Sequence, residues 1–306
     1  VFALLAVFLW GSNAVIARHL ALEGVSMSVV AFLRVAVGSV VLGGWLAATT
    51  PASLHRCSLL LRNRWVGLAV LCYGGNMLVF HWALRYTTAS SVMMLENIAP
   101  VVALFGGAWF FRERITWRAI TALCLALVGV WLVCTADAGL VTVPHTTVAL
   151  GNCLALLAGL TWGGYTIACR GQGRSDASGQ DALTAMAVML LGSAVLLVPL
   201  LVGTHGWPHT PGAWLWILVL AVFHTATATV LWRLALSHIS AYIASLLFLL
   251  TIVLTMGNAV IFLHERITGM MLLGAGGIVA ALLTVIGKST VRISTEQAVK
   301  RDTENN

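Results

Sequence analysis

Glu113-Arg114-Ile115-Thr116 and Glu265-Arg266-Ile267-Thr268 are the same phrase, ERIT, written twice in a chain that carries little charge. The offset between them, 152 from position 113 to 265, recurs along the chain. It carries Trp10-Gly11 to Trp162-Gly163, Arg18 to Arg170, Ala83-Leu84 to Ala235-Leu236, Ala89 to Ala241 and Phe110 to Phe262. Gly38-Ser39 matches Gly192-Ser193 with a slip of two. A constant offset of this kind records an internal duplication.

What is duplicated follows from composition. Of 306 residues 60% are hydrophobic and 9% charged, with a mean hydropathy of +0.96. Soluble domains carry about 25% charged residues, and so little charge cannot cover a water-facing surface. A membrane-spanning helix needs about 20 mostly apolar residues. Ten such runs are present, at about 1–20, 26–48, 65–84, 88–111, 115–135, 147–169, 182–203, 211–236, 240–263 and 267–287. They lack the period-2 alternation of barrel strands. The expectation is an all-α integral membrane protein with ten transmembrane helices, numbered here as spans 1 to 10. Residues 1–144 form a first five-helix repeat, 145–287 a second, and 288–306 a polar cytoplasmic tail. The chain begins at Val1 and reads as trimmed, with its first run a span rather than a cleavable signal. The six cysteines form no CxxC pair and read as small buried hydrophobes.

Lysine and arginine set the orientation. With a cytoplasmic N-terminus, thirteen of the 17 fall on the inner side, among them Arg62, Arg64, Arg112, Arg170, Arg174 and Arg233. Only Arg18, Arg85 and Arg266 fall outside, and Arg34 lies within span 2. This asymmetry accounts for the net charge of +7 without a nucleic-acid partner; the partners expected are a lipid bilayer and a small solute. Five is odd, so the second repeat runs upside down relative to the first. Inverted repeats are the architecture of alternating-access transporters. In each repeat ERIT closes one span, and Thr116 and Thr268 are placed to cap the next.

Polar groups inside spans carry most of the functional information. Glu96 lies deep in span 4 and Arg34 in span 2, each about eight residues, or on the order of 12 Å, from the outer end. They read as a charge site for a zwitterionic solute, or as an ion pair pinning two helices. Pro100 deprives the carbonyl of Glu96 of its helical partner, and Asn97 adds acceptors at the same break. Trp10 and Trp162 sit near mid-membrane, away from the interfacial belt usual for Trp. Asn13 and Tyr165 share their faces one turn on. Span 3 presents Tyr73, Asn76 and Phe80 at helical spacing, with His81 near its end. Span 8 presents His224, Thr225, Ala228 and Trp232, and Phe248 of span 9 is the offset mate of Glu96. These residues are the candidate lining of a central cavity. Spans 5 and 10 carry Ala122, Ala126, Gly129 and Gly274, Gly277, Ala281, a small-residue spacing suited to helix packing or a dimer face. The chain is expected as a monomer or a homodimer through these spans.

Leu9–Arg18 (LWGSNAVIAR), Pro100 followed by the ERIT turn, and a glycine-rich last span together resemble the EamA branch of the drug/metabolite transporter superfamily. Within that branch the chain is most similar to YddG-type exporters of aromatic and methyl amino acids. The resemblance implies a basket-shaped carrier around a central cavity, with spans 5 and 10 peripheral, in the bacterial inner (plasma) membrane and without a cofactor. One departure is Ile252 at the offset mate of Pro100, from which span 9 is expected to differ from span 4. Other readings are a transporter of another metabolite or drug class, or an intramembrane metal-dependent enzyme using His81, His224 and Glu96. Nucleotide sugars fit less well, since no Lys/Arg cluster awaits a diphosphate. No HExxH, GxSxG or Walker motif occurs.

Overall fold

The computed structural model describes residues 1–50, 57, 60, 62–86, 92, 95–137, 145–175, 182–263 and 268–284. The tail after 284, the start of span 4 and Glu265 to Ile267 of the second ERIT phrase lie outside the described residues, as does the side chain of Arg18. Every regular element among the described residues is helical.

The described residues trace ten spans, six of them long apolar helices and four shorter. Span 1 is Phe2–Gly11 and Asn13–Leu22, span 2 Met27–Thr49 and span 3 Arg64–Tyr86. Span 4 ends in Ala99–Phe111, and span 5 is Trp117–Asp137. Span 6 is His145–Ser175, and span 7 is Ala182–Leu197 closed by a 3₁₀ turn, Val198–Leu201. Span 8 runs Pro211–Val219, then a π-helical stretch Leu220–Thr227, then Ala228–His238. Span 9 is Ala241–Phe248 and Leu250–Leu263, and span 10 is Gly269–Thr284. Large apolar side chains such as Phe8, Trp45, Phe105 and Trp109 point outward. In lipid that surface is solvated, so the outward faces can be as apolar as the core.

Loop contacts fix which ends lie together. Ser26 N donates to the Gly206 carbonyl at 2.8 Å, and the Thr210 hydroxyl to Glu23 at 3.3 Å, joining the span 1–2 and span 7–8 connections at one end. Arg170 and Arg174 of span 6 reach Glu113 and the Phe111 carbonyl at the other end, together with the end of span 8. Those alternations are what ten consecutive crossings require.

The inverted repeat is visible in packing. A Cβ built on Gly11 would stand 2.5 Å from Leu254 Cβ, and one on Gly163 would stand 2.5 Å from Val102 Cβ. The offset of 152 turns the first contact into the second: span 1 presses on span 9 as span 6 presses on span 4. Glycine is required at both crossings because the neighbouring helix occupies the place of a side chain. Both N-caps form as expected. Thr116 Oγ1 accepts from Ala119 N at 3.2 Å, and Thr268 Oγ1 from Met271 N at 3.3 Å. The small faces of spans 5 and 10 pack on one another within the chain, where Gly129 meets the Gly274 carbonyl and Ile278.

Two features lie beyond the sequence reading, and one expectation needs correction. Span 9 breaks at Leu249 even though Ile252 stands where span 4 has Pro100. There the backbone ladder tightens, Leu249 N donating to the Leu246 carbonyl and Ile252 N to the Leu249 carbonyl, both at 3.1 Å, and the Thr251 hydroxyl donates to the Phe248 carbonyl at 2.6 Å. Arg233, counted on the inner side, is 1% exposed within span 8. Cys124 and Cys153 are exposed on outward faces rather than buried, whereas Cys169 is buried.

Candidate functional site

Three helix irregularities meet at the centre of the bundle. Span 1 is interrupted at Ser12, so the Gly11 carbonyl is free to accept from Thr255 Oγ1 at 2.9 Å and Asn258 Nδ2 at 3.1 Å of span 9. Span 8 is π-helical across Leu220–Thr227, a distortion frequent at functional sites. Its His224 carbonyl receives Trp10 Nε1 at 2.8 Å. Span 4 turns at Asn97-Ile98 and restarts as Ala99–Phe111 with Pro100 in its first turn, where a missing N–H costs nothing. The carbonyls of Leu95 and Glu96 lie against Gly159 of span 6, so close that a Cβ there would come within 3.0 and 2.7 Å of them.

Around these breaks four rings pack together. Trp10 meets Trp162 and Trp232 edge-on, both with centroids 5.3 Å away, and Phe248 at 5.7 Å. Phe248 also lies 4.7 Å from Trp162 and 6.1 Å from Trp232. Tyr165 extends the cluster from Trp162 at 5.2 Å, and Tyr73 from Tyr165 at 5.1 Å. These are the separations at which aromatic pairs attract. The two Trp faces thus meet in contact, with Phe248 against both. Trp162 Nε1, Trp232 Nε1 and Ser245 Oγ are buried without a hydrogen-bond partner, although buried polar atoms are nearly always paired. Ser245 stands one turn before Phe248 in span 9.

The two deep charges do not pair with each other, which corrects the ion-pair alternative. Arg34 Nε donates to Thr225 Oγ1 at 2.9 Å, Nη1 to Asn13 Oδ1 at 2.8 Å and Nη2 to the His224 carbonyl at 3.4 Å. Glu96 instead accepts from Asn76 Nδ2 at 3.0 Å, and the same amide donates to the Ala158 carbonyl at 2.9 Å. His224 is held by Ser12 Oγ at 2.8 Å and the Val219 carbonyl at 3.3 Å. His81 Nδ1 lies 2.6 Å from the Met77 carbonyl. The three groups weighed as metal ligands therefore have separate partners.

Of the residues expected at the site, Trp10, Trp162, Tyr165, Tyr73 and Phe248 form one ring cluster. Asn13, His224 and Arg34 form the polar network beside it, and Asn76 and Glu96 pair one turn along span 3 from Tyr73. Asn97 and Pro100 flank the span 4 break and are buried. Phe80 does not join them. It packs with Ala83, Val92 and Ala155 and stacks edge-on with His81 at 5.5 Å. Trp232 joins the ring cluster, and Ser245, one turn from Phe248 in span 9, carried no signal beyond being polar within a span. A cleft of about 380 Å³ opens among Ser26, Ser28, Trp82 and the 199–205 segment at the span 1–2 end.

The comparisons with known proteins agree with this architecture. A crystal structure of another protein, 17% identical, superposes on 93% of this chain and 95% of its own with a TM-score of 0.79, a likeness of fold. Comparison with curated proteins finds no match. The model of the EamA-like transporter family matches residues 1–135 and again 149–287, one match to each half, and the chain belongs to that family.

Proposed function

We propose that this transporter exports small, partly apolar solutes, with aromatic and methyl amino acids as the class, as in the YddG-type exporters it resembles. Transport proceeds by alternating access across the bacterial plasma membrane, with both termini cytoplasmic. The observation that carries the reading is the ring cluster at the meeting of the two repeats, which holds two unpaired indole N–H groups. Binding sites of transporters built from inverted repeats lie at that interface, near the midplane and beside broken helices. Rings of this number offer an amino-acid side chain apolar and quadrupolar contact, and the unpaired donors suit an acceptor on the solute. The breaks in spans 1, 4 and 9 are positions at which helix halves can tilt.

The test is flux into proteoliposomes of the purified protein with a panel of labelled amino acids, with and without a pH gradient. Saturable uptake of aromatic or methyl amino acids, competed by unlabelled congeners, is expected. Uptake no faster than into protein-free vesicles for every amino acid would overturn the reading.

A further inference from the structure

Arg34 is a buried cation with no anion beside it among the described residues. The side chain is 5% exposed, and its three hydrogen bonds go to an amide, a hydroxyl and a backbone carbonyl, all neutral. Among the described residues it makes no ion pair, while the one acid deep in a span, Glu96, is engaged by Asn76. A charge inside a membrane protein is costly unless it is paired or does work. The contrast with Arg170 is direct: that guanidinium has Glu113 at 3.1 Å and the Leu236 and Ser237 carbonyls at 2.8 and 3.3 Å.

The hydrogen-bond inventory points the same way. A guanidinium has five N–H groups, one on Nε and two on each Nη. The three bonds engage one on each nitrogen, leaving one N–H on Nη1 and one on Nη2. One N–H left on each η nitrogen gives the guanidinium donors for a carboxylate, the group whose geometry its planar fork suits. The group is also held rigidly, by Asn13 of span 1 and by Thr225 and the His224 carbonyl of span 8, so both repeats orient it. Its position relative to the rings follows from one atom. The His224 carbonyl accepts from Arg34 Nη2 and from Trp10 Nε1, so the cation adjoins the ring cluster.

We propose that Arg34 binds the carboxylate of the transported solute while the Trp10–Trp162–Trp232–Phe248 cluster holds its apolar part. The ligand class is an amphiphile with a free carboxylate beside a ring or branched chain. Its amine, alcohol and ester analogues are rejected. This deepens the reading of the site given above and rests on it.

The test uses the unaltered protein in detergent, with thermal stabilisation as the readout and phenylacetate, its methyl ester and phenethyl alcohol as probes. The carboxylate is expected to bind about tenfold or more tightly than the ester and alcohol, because a site built to hydrogen-bond a group rejects ligands lacking it. Arg34→Lys, which keeps the charge without the fork, should lose most of that preference, and Arg34→Gln all of it. Ester and alcohol binding within about threefold of the carboxylate in the unaltered protein, a difference under about 1 kcal/mol, overturns the proposal even if neither variant folds. Carboxylate preference in a protein whose proteoliposomes move no amino acid leaves the Arg34 site standing and removes the amino-acid reading instead.

Discussion

Trp10 and Trp162, 152 positions apart, meet edge-on with ring centroids 5.3 Å apart. The operation that relates the two repeats carries one onto the other. A residue can touch its own symmetry mate only beside the symmetry axis, so this contact puts the ring cluster at the centre of the inverted repeat. That is where a carrier that rocks between two states related by the pseudo-two-fold axis has to hold its solute.

Trp10→Ala and Trp162→Ala should therefore each reduce amino-acid flux by about tenfold or more while the protein still inserts. Each indole supplies roughly 150–250 Å² of contact, and ring pairs add about 1 kcal/mol beyond that area. Trp10 has the further duty of bonding the His224 carbonyl, so Trp10→Phe should retain less flux than Trp162→Phe. Initial rates in proteoliposomes, normalised to inserted protein, check both statements.

The paired crossings make a structural prediction. Gly11→Ala drives a methyl into Leu254 Cβ and should lower the melting temperature, at a cost of about 1–3 kcal/mol for overpacking. Combining it with Leu254→Gly, which clears the same space from the other helix, should recover part of the loss. Melting curves of the single and double variants in detergent settle whether spans 1 and 9 cross as described.

Much of this architecture was legible in sequence because it rests on long-range regularities. The 152-residue offset exposed the duplication, ten apolar runs gave the spans, and mid-span polar residues marked the candidate site. What remained hidden was set by local competition between helices. Span 9 breaks at Leu249 without a proline, a break that no sequence pattern announces. Arg34 and Glu96 were alike in depth but lie in different neighbourhoods, since depth says nothing about rotation around the helix axis. Phe80 was misplaced for the same reason: it keeps helical register with Tyr73 and Asn76, yet its side chain packs on Ala155 and Val92. Ser245 was passed over because a lone serine in a span is usually bonded back to its own helix.

At the span 4 break the substitutions separate two roles. Glu96→Gln keeps an acceptor for Asn76 and should leave flux within about fivefold, the difference between a charged and a neutral hydrogen bond being about 1 kcal/mol. Pro100→Ala restores an N–H at the start of the lower helix and lets the ladder extend across Asn97-Ile98. It should slow transport while leaving the melting temperature unchanged or raised. Loss of pH-gradient-driven flux in Glu96→Gln with exchange between equal pools preserved would instead make Glu96 a proton carrier.

Arg170 and Glu113 tie span 6 to the turn after span 4 and to the end of span 8, with side chains only 15% and 18% exposed. Glu113→Gln should destabilise the protein by about 2 kcal/mol, as expected for a hydrogen bond to a charged group. It should also raise the reactivity of a cysteine introduced at Ser237 toward a membrane-impermeant thiol reagent. Unchanged reactivity would mean that the pair holds local structure without closing that end.

The most direct measurement is solute protection of a cysteine at Ser245, in a background with the native cysteines replaced. Ser245 is 1% exposed, its hydroxyl is unpaired, and it lies one turn from Phe248. If the solute binds among these rings, an aromatic amino acid that the protein transports should slow modification of Ser245→Cys by a small thiol reagent, in proportion to its affinity. If every transported solute leaves the rate unchanged while flux continues, the solute passes elsewhere and the ring cluster is only packing.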